Sequence, residues 1–303
     1  MITIPPYLKK GDTIGITCPA GYMEAKKVQT CIHTLQSWGY EVMVGKTIGS
    51  KSTTYFSGTD EERLNEFQAM LNDENIKAIL CGRGGYGVSR IIDSLEFKQF
   101  KKNPKWIIGF SDITVLHGHL HQQIKVASLH APMANAFNDG GANKVYVQSL
   151  KNALKGIKSN YKTESHSANR LGKCTGELIG GNLALIAHLC GSKSSYTTKN
   201  NILFIEDIGE YIYNIDRMMV QLKRAGLLHQ LGGLIIGGFT DIKDNVRPFG
   251  QSVEEIILQH VAEYAYPVCF NFPVSHEKEN VALKIGLMHV LSVTNKMVTL
   301  KEQ

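Results

Sequence analysis

Short apolar runs alternate with amphipathic stretches along the first half of the chain. Thr13 to Cys18 is β-prone, a helical pattern follows Pro19-Ala20-Gly21 and runs through Leu35, and Tyr40 to Val44 reads as a second strand. Asp60 to Leu71 is periodic and charged on one face, with Glu61 and Glu62 in its first turn, where the helix dipole favours acids. Ile76 to Cys81 then predicts a strand, Val88 to Leu95 a helix, Trp106 to Phe110 a strand and Ile113 to Gln122 a helix. Strands alternating with helices over short connections imply an α/β fold with a parallel sheet covered on both faces. Its ligand is expected beyond the carboxyl ends of the strands.

This pattern dissolves between Lys151 and Lys173 into Ser-, Asn- and Lys-rich sequence, which predicts an interdomain linker. A second region follows, with Glu177 to Ile179, a helix around Leu183 to Leu189, a strand over Asn201 to Ile205 and a helix over Ile215 to Ala225. Gly233 to Gly237 predicts a strand, Val253 to Tyr264 a helix, Val268 to Val274 a strand, and 285–300 a hairpin around Asn295. The expected organisation is a domain over 1–150, a linker over 151–175 and a domain over 176–303.

Composition narrows the classes of function. A length of 303 residues suggests about two domains, and 43% apolar with 20% charged residues is globular usage. The net charge of +6 is scattered and never forms a block, which argues against a nucleic-acid partner. The six cysteines are far apart with no Cys-x-x-Cys, so they are expected to be reduced, mostly in the core. Neither a secretory signal nor an apolar run approaching the roughly 20 residues of a membrane span is visible. Together these features predict a cytoplasmic protein with no membrane partner.

Three polar residues stand at or just beyond predicted strand ends: Ser111 after Trp106 to Phe110, Glu206 after Ile202 to Ile205, and His276 after the run ending at Ser275. A hydroxyl, an imidazole and a carboxylate are what nucleophilic acyl transfer needs. Ser111 sits where a strand turns abruptly into a helix, as a nucleophile elbow does. The alternative is that Ser111 or Asp112 simply caps that helix. Glu206 could equally be a salt-bridged carboxylate, and His276 a loop histidine. Gly82-Arg83-Gly84-Gly85-Tyr86-Gly87 fits a dinucleotide fingerprint, with Asp112 in reach of a ribose, but a glycine turn also lets backbone N–H groups approach an oxyanion. Arg83 could pair with a substrate carboxylate or lie on the surface. His117, His119 and His121 invite a metal reading, yet the Glu of a His-Glu-x-x-His site is missing, and no metal is expected.

Several blocks taken together carry a resemblance. Tyr55-Phe-Ser-Gly-Thr-Asp-Glu-Glu-Arg, Arg83-Gly-Gly-Tyr-Gly, Gly109-Phe-Ser-Asp-Ile-Thr, Gly180-Gly-Asn-Leu and Phe204-Ile-Glu-Asp-Ile-Gly-Glu with Ile215-Asp-Arg-Met occur in that order. In these the chain resembles the LD-carboxypeptidases, a serine peptidase family that includes murein tetrapeptide carboxypeptidases and microcin C immunity hydrolases. The resemblance implies a flavodoxin-like N-terminal domain with a parallel sheet and a smaller C-terminal β-rich α/β domain, usually in a homodimer with the site between domains. It implies Ser111 as nucleophile, His276 as general base, Glu206 as its orienting acid, and an oxyanion hole from the N–H groups of Gly85 and Asp112, with no cofactor. The implied reaction is release of terminal D-Ala from a murein tetrapeptide during wall recycling, through an acyl-enzyme. Hydrolysis of peptidyl or aminoacyl nucleotides is the alternative within the family, and a non-hydrolytic nucleotide-binding module the alternative outside it. The chain departs from the family in having Ser275 before the histidine and Lys284 after it, while Asn280 matches. Leu129-His130-Ala131-Pro132 departs from a family His-Gly-Pro and reads as a structural turn.

Overall fold

The strand-forming runs gather into two sheets in the computed structural model, which describes residues 1–141 and 143–303. The strands are β1 Thr13–Thr17, β2 Glu41–Val44, β3 Ile76–Cys81, β4 Trp106–Gly109, β5 Ser128–His130, β6 Asn160–Glu164, β7 Gly172–Asn182, β8 Ile202–Ile208, β9 Gly233–Thr240, β10 Val268–Cys269, β11 Leu283–Ile285, β12 Met288–Val293 and β13 Met297–Glu302. The chain divides into one unit of Met1–Ile157 with Val281–Lys284 and another of Lys158–Asn280 with Ile285–Gln303.

In the first unit the sheet order is β2-β1-β3-β4-β5-β11, and the neighbours from β2 to β5 are parallel. The order 2-1-3-4-5 is that of a flavodoxin-like sheet. Ile14, Ile16, Ile79, Leu80, Ile107 and Ile108 are all buried, as continuous apolar strands covered on both faces must be. The helix Asp60–Asn72 starts from a reciprocal capping box between Thr59 and Glu62 and buries Arg63, Phe67, Met70 and Leu71. The expected helix over Ile113 to Gln122 is instead a 3-10 turn, Ser111–Ile113, an α-helix, Thr114–His119, and a π-helical turn, Leu120–Ile124. The first predicted helix likewise begins as a 3-10 turn, Ala25–Val28, before Gln29–Ser37.

The second sheet runs β10-β9-β8-β7-β12-β13-β6. Its β7 to β10 neighbours are parallel, and the β7-β12-β13-β6 neighbours are antiparallel. Helices Leu183–Leu189, Ile212–Arg224 and Val253–His260 place Ile186, Ile215, Met219 and Ile257 in one core with Leu203, Ile205 and Ile236. The hairpin expected around Asn295 is the turn between β12 and β13.

The stretch read as a linker holds the end of the helix Val145–Leu154 and then β6, which pairs with β13 from Met297↔Glu164 to Lys301↔Asn160. As the terminal strand of its sheet, β6 alternates exposed and half-buried positions, so its polar composition conceals a strand. The predicted strand Val268 to Val274 pairs only as β10, although Phe272 N–H and Gly238 N–H bond across to Ile236 O at 3.1 Å and Val274 O at 2.9 Å. All six cysteines are unpaired. Among the described residues, no helix is long and apolar enough to cross a membrane.

Candidate active site

Ser111 follows β4 after a single extended residue, Phe110, and adopts φ +61°, a left-handed conformation that a residue with a Cβ rarely holds. Such strain is of order 1–3 kcal/mol and persists where surrounding structure enforces it. The enforcement is visible in the neighbouring glycines. A Cβ on Gly109 would lie 2.8 Å from Ile113 Cγ1 and 3.2 Å from Cys81 Cβ, so the strand end can pack only as glycine. A Cβ on Gly84 would lie 2.9 Å from Ser111 Cβ and 3.1 Å from its Oγ. The glycine turn after β3 is therefore pressed against the serine turn after β4.

The capping alternative does not hold for this turn. Neither the 3-10 turn starting at Ser111 nor the helix Thr114–His119 has a side-chain cap. The Asp112 carboxylate, fully buried, instead reaches back to accept the Val88 N–H at 2.8 Å. Burial pushes its pKa up to about 6, against the opposing pull of the Val88 bond and the Arg63 charge. A carboxylate so enclosed cannot meet a ribose hydroxyl, which removes the acid that the dinucleotide reading required. The Asp112 main-chain N lies 3.4 Å from the Cβ position of Gly84. Gly85 comes next in the turn at φ +98°, with the Tyr55 hydroxyl oxygen 2.7 Å from its own Cβ position.

Glu206 and His276, in the second unit, are brought together. Glu206 is completely buried near the carboxyl end of β8, at the point where the register with β9 slips between Ile205 and Asp207. Bulges of this kind re-aim side chains next to functional sites. Gly237 on β9 clears the space beside it, since a Cβ there would lie 3.1 Å from Glu206 Cβ and 2.1 Å from Val274 O. Glu206 Oε2 is 2.6 Å from His276 Nδ1, and Glu206 Oε1 has no hydrogen-bond partner among the described residues. A buried carboxylate with one partner is held in place by that partner's charge or proton. Burial disfavours the His276 imidazolium, but the Glu206 bond and charge, helped by Asp207, outweigh it and raise the pKa above the usual 6.5. The carboxylate on Nδ1 fixes the orientation and tautomer of the ring.

The loop that carries His276 is tied by its predecessor. Ser275 Oγ accepts the Glu277 N–H at 3.0 Å and donates to Glu279 O at 3.2 Å. Ser275 packs directly over Gly238, where a Cβ would come within 2.6 Å of its own. Lys284, the second departure from the family pattern, lies in β11 of the first unit, with Nζ 3.2 Å from Ile157 O and 5.0 Å from the Tyr7 ring centre.

The remaining sequence candidates fall as follows. Arg83 is exposed, and its Nη1 donates to Tyr22 O at 2.8 Å, leaving the guanidinium at the rim of the glycine turn. His117 is a core histidine satisfied at both nitrogens, by Ser128 Oγ at 2.8 Å and Gly109 O at 2.9 Å, and burial lowers its pKa to about 4. His119 lies tilted against Phe97, with ring centres 5.2 Å apart, and His121 Nδ1 meets the Gln122 amide at 2.8 Å. No group of metal-binding side chains occurs among the described residues. His130 is buried beside Phe110 and His117.

Two residues were not singled out from sequence. Arg63, completely buried, donates from Nη1 to Gly87 O at 3.1 Å. Asp207 accepts from Asn182 Nδ2 at 2.8 Å and Ala184 N at 2.9 Å, binding the end of β8 to the start of the next helix. The available signal was position, since both lie inside the ordered blocks around Tyr55 and Phe204.

Known proteins share this architecture from end to end. The LD-carboxypeptidase N-terminal domain matches residues 14–131 and the LD-carboxypeptidase C-terminal domain matches residues 175–291. A probable murein peptide carboxypeptidase of Bacillus subtilis is 33% identical over 98% of this chain and 94% of that protein. The microcin C7 self-immunity protein of Escherichia coli is 25% identical over 98% of this chain and 95% of its own length. The crystal structure of muramoyltetrapeptide carboxypeptidase from Oxalobacter formigenes superposes with a TM-score of 0.87 at 28% identity, covering 96% of this chain and 98% of that one. With both domains matched in order and the fold shared along its length, the chain belongs to the LD-carboxypeptidase family of hydrolases.

Proposed function

We propose that this protein is a serine-type carboxypeptidase that cleaves an L,D peptide bond and releases the terminal D-Ala of a murein tetrapeptide. The observation that carries the reading is the left-handed Ser111 at the end of β4, strained and pressed by Gly84. Ser111 Oγ attacks the carbonyl carbon before D-Ala while His276 Nε2 takes the hydroxyl proton. Glu206 holds the imidazole through Nδ1 and stabilises its cation. The main-chain N–H groups of Asp112 and Gly85 receive the oxyanion. His276 returns the proton to the departing D-Ala amine, and water then hydrolyses the acyl-enzyme. Arg83 serves the terminal carboxylate of the substrate by a two-pronged bond.

The reading requires no metal or cofactor and takes the enzyme to be a cytoplasmic homodimer. The unpaired cysteines support the location. The test is chromatographic measurement of D-Ala released from L-Ala-γ-D-Glu-diaminopimelyl-D-Ala, with and without Ser111→Ala. Release by the wild type and none by the variant is expected; undiminished release by a folded Ser111→Ala protein refutes the mechanism. Because the E. coli relative is named for microcin immunity, an aminoacyl-sulfamoyl adenylate is assayed in parallel. Faster turnover of that compound would move the assignment to nucleotide-linked substrates while keeping the same chemistry.

A further inference from the structure

Arg63 and the Asp112 side chain grip the two ends of one peptide group. Arg63 Nη1 donates to Gly87 O at 3.1 Å, and Asp112 Oδ2 accepts the Val88 N–H at 2.8 Å. The carbonyl of Gly87 and the N–H of Val88 belong to the same peptide plane, which closes the glycine turn that begins at Gly82. Both side chains are completely buried. Arg63 is itself anchored by Asp60, by Pro19 O, and by the Phe56 ring, whose centre lies 5.0 Å from the guanidinium carbon. A Cβ on Gly87, at φ +153°, would come within 2.8 Å of Arg63 Nη1, so the guanidinium occupies the space that any side chain there would need.

We infer that Arg63 and the Asp112 carboxylate are positioning residues, which clamp the Gly87–Val88 peptide so that the glycine turn and the Ser111 turn are held as one rigid oxyanion-binding element. The inference rests on the reading of Ser111 as nucleophile. Asp112 is the natural link because its carboxylate reaches the glycine turn while its main chain follows the serine directly. An oxyanion hole stabilises charge only if its donors are fixed before the reaction. Buried charged side chains are a poor device for stability alone, since apolar residues of similar volume do as well or better. Here the pair also leaves Arg63 Nε and Asp112 Oδ1 without hydrogen-bond partners among the described residues. Such unsatisfied atoms are rare in cores and are tolerated where geometry is at stake.

The test uses Asp112→Asn, Asp112→Ala and Arg63→Lys in the full chain. Asn retains an acceptor for the Val88 N–H but loses the charge, and Ala loses both. The expected result is a fall in kcat of about 100-fold for Asp112→Ala, the lower end of what loss of an oxyanion donor costs, and a smaller fall of about 10-fold for Asp112→Asn, which keeps an acceptor. KM is expected to stay within about twofold. Affinity for a peptidyl phosphonate that mimics the tetrahedral intermediate falls with kcat. A merely structural role would lower the melting temperature and leave both kcat and phosphonate affinity unchanged below it, and that outcome overturns the inference. If Asp112→Ala does not fold, Asp112→Asn and Arg63→Lys decide on the same two readouts. Labelling of the wild type with a fluorophosphonate separates the two levels. No adduct on Ser111 sinks the catalytic reading itself, whereas an adduct together with wild-type kcat in the folded variants sinks only the clamp.

Discussion

One methyl group, added at Gly84, measures how tightly the two turns of the first unit depend on each other. Gly84 does not occupy the left-handed region, so alanine introduces no backbone strain there and the effect is steric. Its Cβ would lie 2.9 Å from Ser111 Cβ, 3.1 Å from Ser111 Oγ and 3.4 Å from the Asp112 N. Carbon atoms in contact prefer about 3.5–4.0 Å, so a turn must shift by roughly 0.6–1 Å. Ser111 Cβ cannot swing aside, being fixed to a backbone already held at φ +61°. Overpacking of this kind destabilises by about 1–3 kcal/mol. Displacing a nucleophile by about 1 Å lowers turnover roughly 100-fold. We expect Gly84→Ala to stay folded, with kcat for D-Ala release down about two orders of magnitude. Gly15→Ala in β1 is the control, because its methyl would press on Met70 Sδ at 3.0 Å and Ile76 Cδ1 at 3.2 Å, both ends of flexible side chains. It should lower the melting temperature and leave kcat intact. Wild-type kcat in folded Gly84→Ala would refute the idea that these turns form one device.

Other perturbations separate strain, charge and burial. Ser111→Gly relieves the left-handed strain that Ser111→Ala retains. After the entropy of glycine is counted, it should be the more stable of the two inactive variants by about 1 kcal/mol in thermal or denaturant unfolding; the reverse order would show that Ser111 is unstrained. Glu206→Gln removes the carboxylate that raises the His276 pKa against its burial. Since the proposed base His276 can act only when neutral, the acid limb of kcat/KM should lie above about 6.5 in the wild type and move to lower pH in the variant, with the maximal rate down about 100-fold or more. An unmoved limb would mean that Glu206 does not tune this histidine. Asp207 has its pKa raised by burial from 3.8 to about 6, so the folded state holds that proton longer than the unfolded chain. Its contribution to stability is present below the lower value and lost as pH rises to the higher. At about 1.4 kcal/mol per unit this is on the order of 3 kcal/mol. Asp207→Asn should therefore gain about that much relative to wild type between pH 4 and pH 7 in urea unfolding, and a pH-independent difference would contradict the assignment.

How much of this was legible depended on whether a feature is local. The strand-to-helix join at Ser111, the parallel pairing of β1 to β4 and the place of Glu206 near a strand end follow from patterns a few residues long, whereas His276 lies in a loop well past the two-residue β10 and not at the end of the longer strand expected there. What was not legible depends on contacts distant in sequence. Arg63 sits on a helix whose charged face reads as solvated, and its burial follows only from the approach of Pro19 and Gly87. Nothing local distinguishes Gly84 from its glycine neighbours, because its role is set by Ser111. Strand β6 reads as linker because an edge strand with half-buried positions needs no apolar run. Strand β11 is three residues long and belongs to a sheet built more than a hundred residues earlier.

Buried side chains that burial alone does not tell apart differ in how far their polar atoms are satisfied. His117 and Asp112 are both completely buried and lie on the same connection after β4. His117 finds partners at both ring nitrogens, becomes a neutral core residue and needs no functional account. Among the described residues Asp112 Oδ1 has no hydrogen-bond partner, and neither has Glu206 Oε1 in the second unit, although each orphaned polar atom costs about 1–3 kcal/mol. Ser111 adds backbone strain of similar size. A sequence shaped by stability alone could relieve each with one substitution: glycine at 111, or an apolar residue at 112 or 206. Three such costs fall on Ser111, the residue after it and the carboxylate bound to His276, the places where the proposed reaction needs fixed geometry, while Ser89, Thr240 and Tyr266 also keep buried oxygens without hydrogen-bond partners among the described residues.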